Sequence, residues 1–386
     1  MSWRREPPVL SPVSAKGIAA GVAATLRIGR GEQARAEAML RAEFSAGDVR
    51  LTDSGTSALV LAMRLAAPFG TVALPAFGCP DLAAAAVRAS VRVRLYDLDP
   101  ATLSPDLDAV RAAISRGVDA IVVAHFYGYP ADMRGVEECA AAAGLTVIED
   151  AAQGASGSLH GARLGSIGSS VVLSFGRGKG MTAGSGGALL GRGALPIDGT
   201  HRIEDSRATG REVAALCAQW ALARPSLYRL PTAIPMLKLG ESVYHDAGEP
   251  RSISPTAAAI IPRAIEMERM ESLVRRRNAK SIIDRIDARK FAAVRPIAGG
   301  ESGYLRCVVL DSTGRARPSV AIGALRSYPK TLDEHPQLHA MLAPGERAGR
   351  GAKQMGERAF TLPTHSRVSR LHVERAAEWL RAPELA

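Results

Sequence analysis

The chain is poor in cysteine, aromatic residues and lysine, and it has no long apolar run. Its four cysteines, Cys79, Cys139, Cys217 and Cys307, stand far apart without a CxxC pair. That spacing argues against a zinc knuckle and a disulfide framework, so reduced thiols and no metal are the expectation. No stretch approaches the roughly 20 uninterrupted apolar residues of a membrane-spanning helix, and the basic start MSWRREPPVLSPVS lacks the apolar centre of a secretory signal. A cytoplasmic protein without a membrane partner is expected. Aromatics make up 4% and basic residues are spread along the chain, so the net charge of +11 does not mark a nucleic-acid surface. Such a field suits phosphorylated small molecules instead. Lysine occurs seven times against forty-two arginines, which makes each lysine easier to weigh.

At 386 residues the chain is long for one core, and two packed units sharing a cleft are expected. From about residue 50 to 190, short β-branched runs alternate with Ala/Leu-rich stretches, the pattern of βα units building a mostly parallel, doubly wound α/β sheet. The strands read as 71–74, 91–96, 120–124, 145–148, 171–175 and 188–190, and the helices as 57–66, 80–89, 107–115 and 133–143. After about 195, Pro225, Pro231, Pro235 and Pro250 mark short helices and loops. A long helix over 256–286 then bridges to a smaller α/β unit, with a strand at 304–310 and a last helix at 372–381. The expected division is an arm at 1–16, a large domain at 17–250 and a small domain at 251–386.

Ligands of such sheets collect at the carboxyl ends of the strands. Asp53-Ser54-Gly55-Thr56-Ser57 precedes a helix, whose free N–H groups attract a phosphate, although Ser and Thr there are equally ordinary caps. Glu149-Asp150 closes a strand, where a carboxylate can pair with a cationic ring nitrogen or serve as a cap or ion-pair partner. Ser174-Phe175-Gly176-Arg177-Gly178-Lys179-Gly180 follows the next strand. Its glycines clear room for a flat cofactor, and partial desolvation favours the neutral amine that imine formation needs. Phosphate turn, strand-end Asp and Lys come in the order a pyridoxal phosphate site requires: anion anchor, electron-sink partner, imine former.

The runs SGTSAL, LPAFGCPDLAAA, YDLDPATLSPD, VVAHFYGYPADM, VIEDAAQGASGS and LGSIGSSVVLSFGRGKGMTAGSGGALL resemble the DegT/DnrJ/EryC1/StrS family of fold-type I pyridoxal phosphate enzymes, mostly sugar aminotransferases. Weaker similarity continues at RRRNA near 277 and LPTH near 363. The resemblance implies a large domain with a mostly parallel sheet, a smaller C-terminal α/β domain and a homodimer. It also implies an amino-acid donor such as glutamate and a keto-sugar acceptor, nucleotide-linked, for a polysaccharide or glycoconjugate. Lys179 would hold the cofactor and shuttle protons, and Asp150 would face the ring nitrogen. Gly55, Thr56 and Ser174 would bind the phosphate, and Gln153 would lie near the ring hydroxyl. His125 would sit at the floor of the site, or else be a hydrogen-bonded structural histidine.

Several positions depart from the pattern. Cys79 stands where an aromatic often stacks on the ring, and reads as a packed thiol more than a nucleophile. Ser185 replaces an acidic residue, and Tyr129 a Gln. The loop by which a neighbouring subunit offers an Asn has no recognisable counterpart in GESVYHDAGEPRSISP. Tyr244, Arg251 and His365 are candidates for substrate or partner-subunit contacts, and Arg275-Arg276-Arg277 reads as a solvated helix face. A pyridoxal-fold protein with a non-sugar acceptor, or with a regulatory and non-catalytic role, is the alternative.

Overall fold

The computed structural model describes residues 6–26, 31–154, 156–197, 203–206, 210–228 and 242–382; Pro231 and Pro235 lie outside them. Helices α1 (Ala15–Leu26) and α2 (Gly31–Phe44) precede strand β1 (Asp48–Thr52). Alternation then sets in: α3 (Gly55–Ala66), β2 (Thr71–Pro75), α4 (Pro80–Ala89), β3 (Arg92–Tyr96), α5 (Leu107–Ser115), β4 (Ala120–Ala124), α6 (Met133–Ala141) and β5 (Thr146–Asp150). After the short strands β6 (Ser158–Leu159) and β7 (Ala162–Arg163) come β8 (Ser170–Ser174) and β9 (Gly187–Gly191). The helices start where the sequence supplies caps. Ser54 accepts from Ser57 N–H, Asp106 from Asp108 and Ala109, and Asp132 from Gly135, while Pro80 occupies the first turn of α4.

Seven strands form one sheet in the order β1-β9-β8-β5-β4-β2-β3. All pairings from β8 to β3 are parallel. Helices cover both faces, which is why β4 reads AIVVA and is buried throughout. Two features depart from the expected string of parallel strands. The segment from Ser174 to Gly187 contains no helix, so the chain turns straight back and β9 pairs antiparallel with β8. Strand β1 pairs with β9 at the sheet's edge; its DVRLT sequence has too little apolar content to announce it.

Helix α7 (Gly210–Leu222) leads towards the long α8 (Pro255–Ile283). The first half of α8 buries Ile260, Ile261, Ala264 and Ile265 with residues of α2, β1 and β8, and its last turns bury Ala279, Ile282 and Ile283 among Phe291, Phe360 and Trp379. One helix thus enters both cores. The Arg275-Arg276-Arg277 run is consequently not a solvated face. Arg275 is 1% exposed, within electrostatic reach of Glu268 and Glu271, and Arg276 donates to the carbonyls of Ser156 and Ser302. Arg276 is half-exposed and Arg277 faces solvent.

The second sheet is antiparallel, in the order β10 (Phe291–Ala293), β12 (Cys307–Asp311), β14 (Ala359–Leu362), β13 (Leu325–Arg326). The small strand β11 (Gly300–Glu301) joins β6 and β7, and α9 (Arg350–Arg358) and α10 (Arg370–Arg381) complete this part. Among the described residues, no helix is long and apolar enough to cross a membrane, and no His/Cys/Asp/Glu group could hold a metal ion. The four cysteines are free thiols.

Candidate active site

The carboxyl ends of β4, β5 and β8 lie side by side in the parallel part of the sheet, and the amino end of α3 packs against the end of β8. Gly55, the first residue of α3, stands so close to the end of β8 that a Cβ there would lie 2.5 Å from Ser174 Cβ. Glycine is therefore required, and the hydroxyl of Ser174 is brought up against the helix terminus. Thr56 follows, half-buried in the same first turn. The free N–H groups of that turn, its partial positive charge and two hydroxyls form a cradle of the kind that takes a phosphate.

The loop after β8 is folded back on itself. Thr182 Oγ1 donates to the carbonyls of Phe175 and Gly176, and Ala183 N–H donates to Phe175 O. Gly178 adopts φ +78°, a conformation open to glycine, and its N–H donates to Ser11 Oγ at 2.7 Å. The N-terminal segment thus pins the residue next to Lys179, a contact unmarked in the sequence because it joins residues 167 apart. Lys179 is half-buried, within electrostatic reach of both Asp150 and Cys79.

Asp150 ends β5, and its Oδ1 accepts the N–H of Ala152 at 2.9 Å. Burial pushes its carboxyl above the usual carboxylate range, against the opposing pull of Ala152, Lys179 and His125. A carboxyl in that state gains from a cationic partner. Gln153 Oε1 accepts from Tyr127 N–H, and its Nε2 donates to Tyr328 Oη at 2.7 Å. Cys79 caps α4 beside Lys179; burial, with Asp81 adding to it, pushes the thiol up to about 12, which fits a packed thiol and not a nucleophile.

His125 is buried, and both its ring nitrogens are engaged. Ala131 N–H donates to Nδ1 at 3.0 Å, so the proton lies on Nε2, which faces Glu149 Oε1 at 3.0 Å. What remains for a ligand is the face of the ring. Glu149, fully buried, also accepts the N–H groups of Gly165, Ile167 and Gly168. Burial works to raise its carboxyl, but the bonds from His125, Gly168 and Gly165 outweigh it and hold it below the usual range. A depressed acid contributes stability that is present above the unfolded value and lost as pH falls through the folded one. Glu149→Ala, which orphans four donors, is expected to destabilise the protein by about 3–5 kcal/mol. Urea unfolding at neutral pH and below pH 4.5 checks it, because the wild type should lose this advantage in acid while the variant has none to lose.

The remaining positions fall elsewhere. Tyr129 is buried, accepts Val308 N–H at 3.2 Å and meets Tyr304 edge-on, joining the large sheet's loops to the small sheet. Ser185 donates to Glu212 Oε1 at 2.7 Å, as does Ser254, so a carboxylate stands at this corner although residue 185 is not acidic. Arg251 is exposed beside Asp53 and pairs loosely with Glu204. His365 is buried, its Nε2 at 2.8 Å from Pro7 O, and burial pushes it down to about 3. Tyr244 lies 6.1 Å from the His335 ring. The GESVYHDAGEPRSISP segment is described from residue 242 onward. Sequence reading missed Ser11, Glu149, Glu212 and the Tyr127–Tyr328 pair, whose rings stack with centroids 5.5 Å apart.

Residues 25–194 match the model of the DegT/DnrJ/EryC1/StrS aminotransferase family. An L-glutamine:2-deoxy-scyllo-inosose aminotransferase of Streptomyces kanamyceticus is 34% identical over 231 residues, covering 59% of this chain and 49% of that protein. A UDP-N-acetyl-3-dehydro-alpha-D-glucosamine 3-aminotransferase of Acidithiobacillus ferrooxidans is 35% identical over 140 residues, 36% of this chain and 38% of the relative. The chain thus spans half or less of the length of the curated relatives it matches. Among solved structures, a sugar aminotransferase from Micromonospora echinospora superposes with a TM-score of 0.75 at 22% identity, covering 97% of this chain and 99% of that one, which shows a shared fold. The family match lies on the segment, residues 25–194, that carries the cradle, the strand-end Asp and the glycine-flanked Lys, and this segment is similar to the DegT/DnrJ/EryC1/StrS aminotransferase family.

Proposed function

We propose that the protein is a pyridoxal phosphate-dependent aminotransferase. In this reading it moves an amino group from an amino-acid donor, glutamate or glutamine, to the ketone of a sugar, nucleotide-linked, for a polysaccharide or glycoconjugate. It works in the cytoplasm as a homodimer. What supports the reading most is that Lys179 lies within electrostatic reach of Asp150 at the end of β5, while Gly55 packs on Ser174 at the end of the neighbouring β8.

The residues fit the cofactor. The α3 terminus with Gly55, Thr56 and Ser174 offers N–H and hydroxyl donors to a phosphate. Asp150, raised by its burial, is ready for a cationic ring nitrogen, and Lys179 supplies the amine. When bound, pyridoxal phosphate supplies an electron sink for the carbon next to the donor's nitrogen. The chain's own contribution is position and proton handling. Lys179 would hold the cofactor through its Nζ, and the same amine, within electrostatic reach of Asp150, would be the group placed to carry a proton there. Asp150, held at the end of β5 by the N–H of Ala152, would pair with positive charge on the cofactor ring. Gln153, fixed by Tyr127 and Tyr328, presents its amide beside the ring position, and His125, locked by Ala131 and Glu149, makes a rigid floor.

The nucleotide-linked acceptor is supported by the net charge of +11, which favours anionic substrates, and by the relatives' names. The purified, cofactor-loaded protein is expected to lose its visible absorbance on adding glutamate or glutamine, and to regain it with one member of a panel of keto-sugar nucleotides. Mass spectrometry of the aminated sugar identifies the acceptor. Absorbance that no amino acid changes would end the aminotransferase reading.

A further inference from the structure

The turn between Lys179 and β9 is gripped from outside the sheet. Gly184 holds φ +90°, and Leu216, the one buried residue of α7, lies so close that a Cβ on Gly184 would collide with its side chain. One residue on, Ser185 donates to Glu212 Oε1 at 2.7 Å. Glu212 and Leu216 stand four residues apart, so both grips come from one face of α7. The same Oε1 accepts the hydroxyl of Ser254 at 2.7 Å, and Ser254 Oγ accepts Ala257 N–H at 3.1 Å as the cap of α8. A single carboxylate oxygen therefore ties the turn to the start of the helix that enters both cores.

That turn carries the joint of the cradle. Gly186, next to Ser185, donates its N–H to Asp53 O at 2.9 Å, and its carbonyl accepts Phe175 N–H at 2.8 Å. Gly187 pairs with Ser174 across β8 and β9. On its other side the backbone of Gly187 packs on the peptide between Ser54 and Gly55, where a Cβ would collide with the Ser54 carbonyl. The α3 terminus and Ser174, the two halves of the cradle, thus close on residues 186 and 187. Upstream, Gly184 bridges to Gly176, three residues before Lys179. Glycine occupies positions 184, 186 and 187, with φ +98° at Gly186, and a backbone that free does not hold one shape by itself. Ser185 supplies the side chain by which this stretch is held, and Glu212 holds it.

We infer that Glu212 is a positioning residue for the phosphate cradle. This rests on the reading that the cradle takes the phosphate of pyridoxal phosphate. Glu212 acts through Ser185 and the backbone of residues 186 and 187, fixing the distance between the α3 terminus and the Ser174 hydroxyl before a ligand arrives. A hydroxyl bonded to a carboxylate is held more firmly than one bonded to a neutral acceptor, which suits an anchor on a glycine-rich turn.

Pyridoxal phosphate and pyridoxal, which lacks the phosphate, test it. Each is titrated into the wild type and into Glu212→Ala, Glu212→Gln and Ser185→Ala, all stripped of cofactor, with the visible band as the signal. Glu212→Ala should weaken pyridoxal phosphate about tenfold, the scale of one hydrogen bond to a charged group, and leave pyridoxal within about twofold of the wild type. Glu212→Gln, which keeps an acceptor oxygen but not the charge, should fall between, and Ser185→Ala should repeat Glu212→Ala. Should Glu212→Ala not fold, Ser185→Ala, which removes a single hydroxyl, decides. A preference for the phosphate form that stays at the wild-type value overturns the inference, whatever happens to the melting temperature. Equal weakening of both ligands overturns it too, because that is what a general loosening of the fold would give. A wild type that shows no band with pyridoxal phosphate overturns the cofactor reading itself, and the inference with it.

Discussion

Lys179→Ala yields a folded protein that holds its cofactor without a covalent bond and no longer turns over. Lys179 sits on a loop whose shape comes from other residues: Thr182 binds the carbonyls of Phe175 and Gly176, and Ser11 binds Gly178. Removing one half-buried side chain therefore leaves the loop and the melting temperature nearly unchanged. The chemistry does not survive. The imine amine is gone, and with it the group that moves a proton, a loss worth about 10²–10⁴-fold by itself. The visible band of the bound imine should disappear, and borohydride should fix no cofactor to the chain. Borohydride labelling that persists would place the attachment at another of the seven lysines, and peptide mapping would say which.

What could be read in advance follows from how local each signal is. Strand β4 and helices α4 and α5 are legible because AIVVA, the Pro80 start and the Asp106 cap are written in consecutive residues. Lys179, Asp150 and Ser174 are legible because a sheet of this kind places strand-end residues together whatever the side chains are. The turn of β9 depended on the absence of a helix between 174 and 187, which periodicity does not register well in a glycine-rich stretch. Burial of Arg275 escaped because α8 packs on both sides, so its charge pattern looks like a solvated face. Glu149 escaped for the opposite reason. It stands beside Asp150, has the same chemistry, and only the alternation of side chains in β5 sends it to the far face to meet His125 and the N–H groups of 165, 167 and 168.

That alternation makes the second large effect separable from a fold defect. Asp150→Asn should have opposite consequences with and without cofactor. In the empty site burial raises the Asp150 carboxyl above its unfolded value. A raised acid contributes stability that is complete below the unfolded pKa and lost as pH rises through the folded one, so Asp150 favours folding less at neutral pH than in acid. The cofactor-free Asn variant is therefore expected to melt higher than the cofactor-free wild type at pH 7, with the difference vanishing as pH falls below 3.8. With cofactor the sign reverses. The carboxylate now faces a cationic nitrogen, and an amide cannot hold that proton by charge, so turnover should fall by about 10²–10³-fold, the scale of removing one preorganised electrostatic partner. Melting curves of both forms across pH, with single-turnover rates for the donor half-reaction, check the two halves together. A variant that melts higher when empty and still turns over at the wild-type rate would show that the carboxylate is buried there for some purpose other than the cofactor's ring.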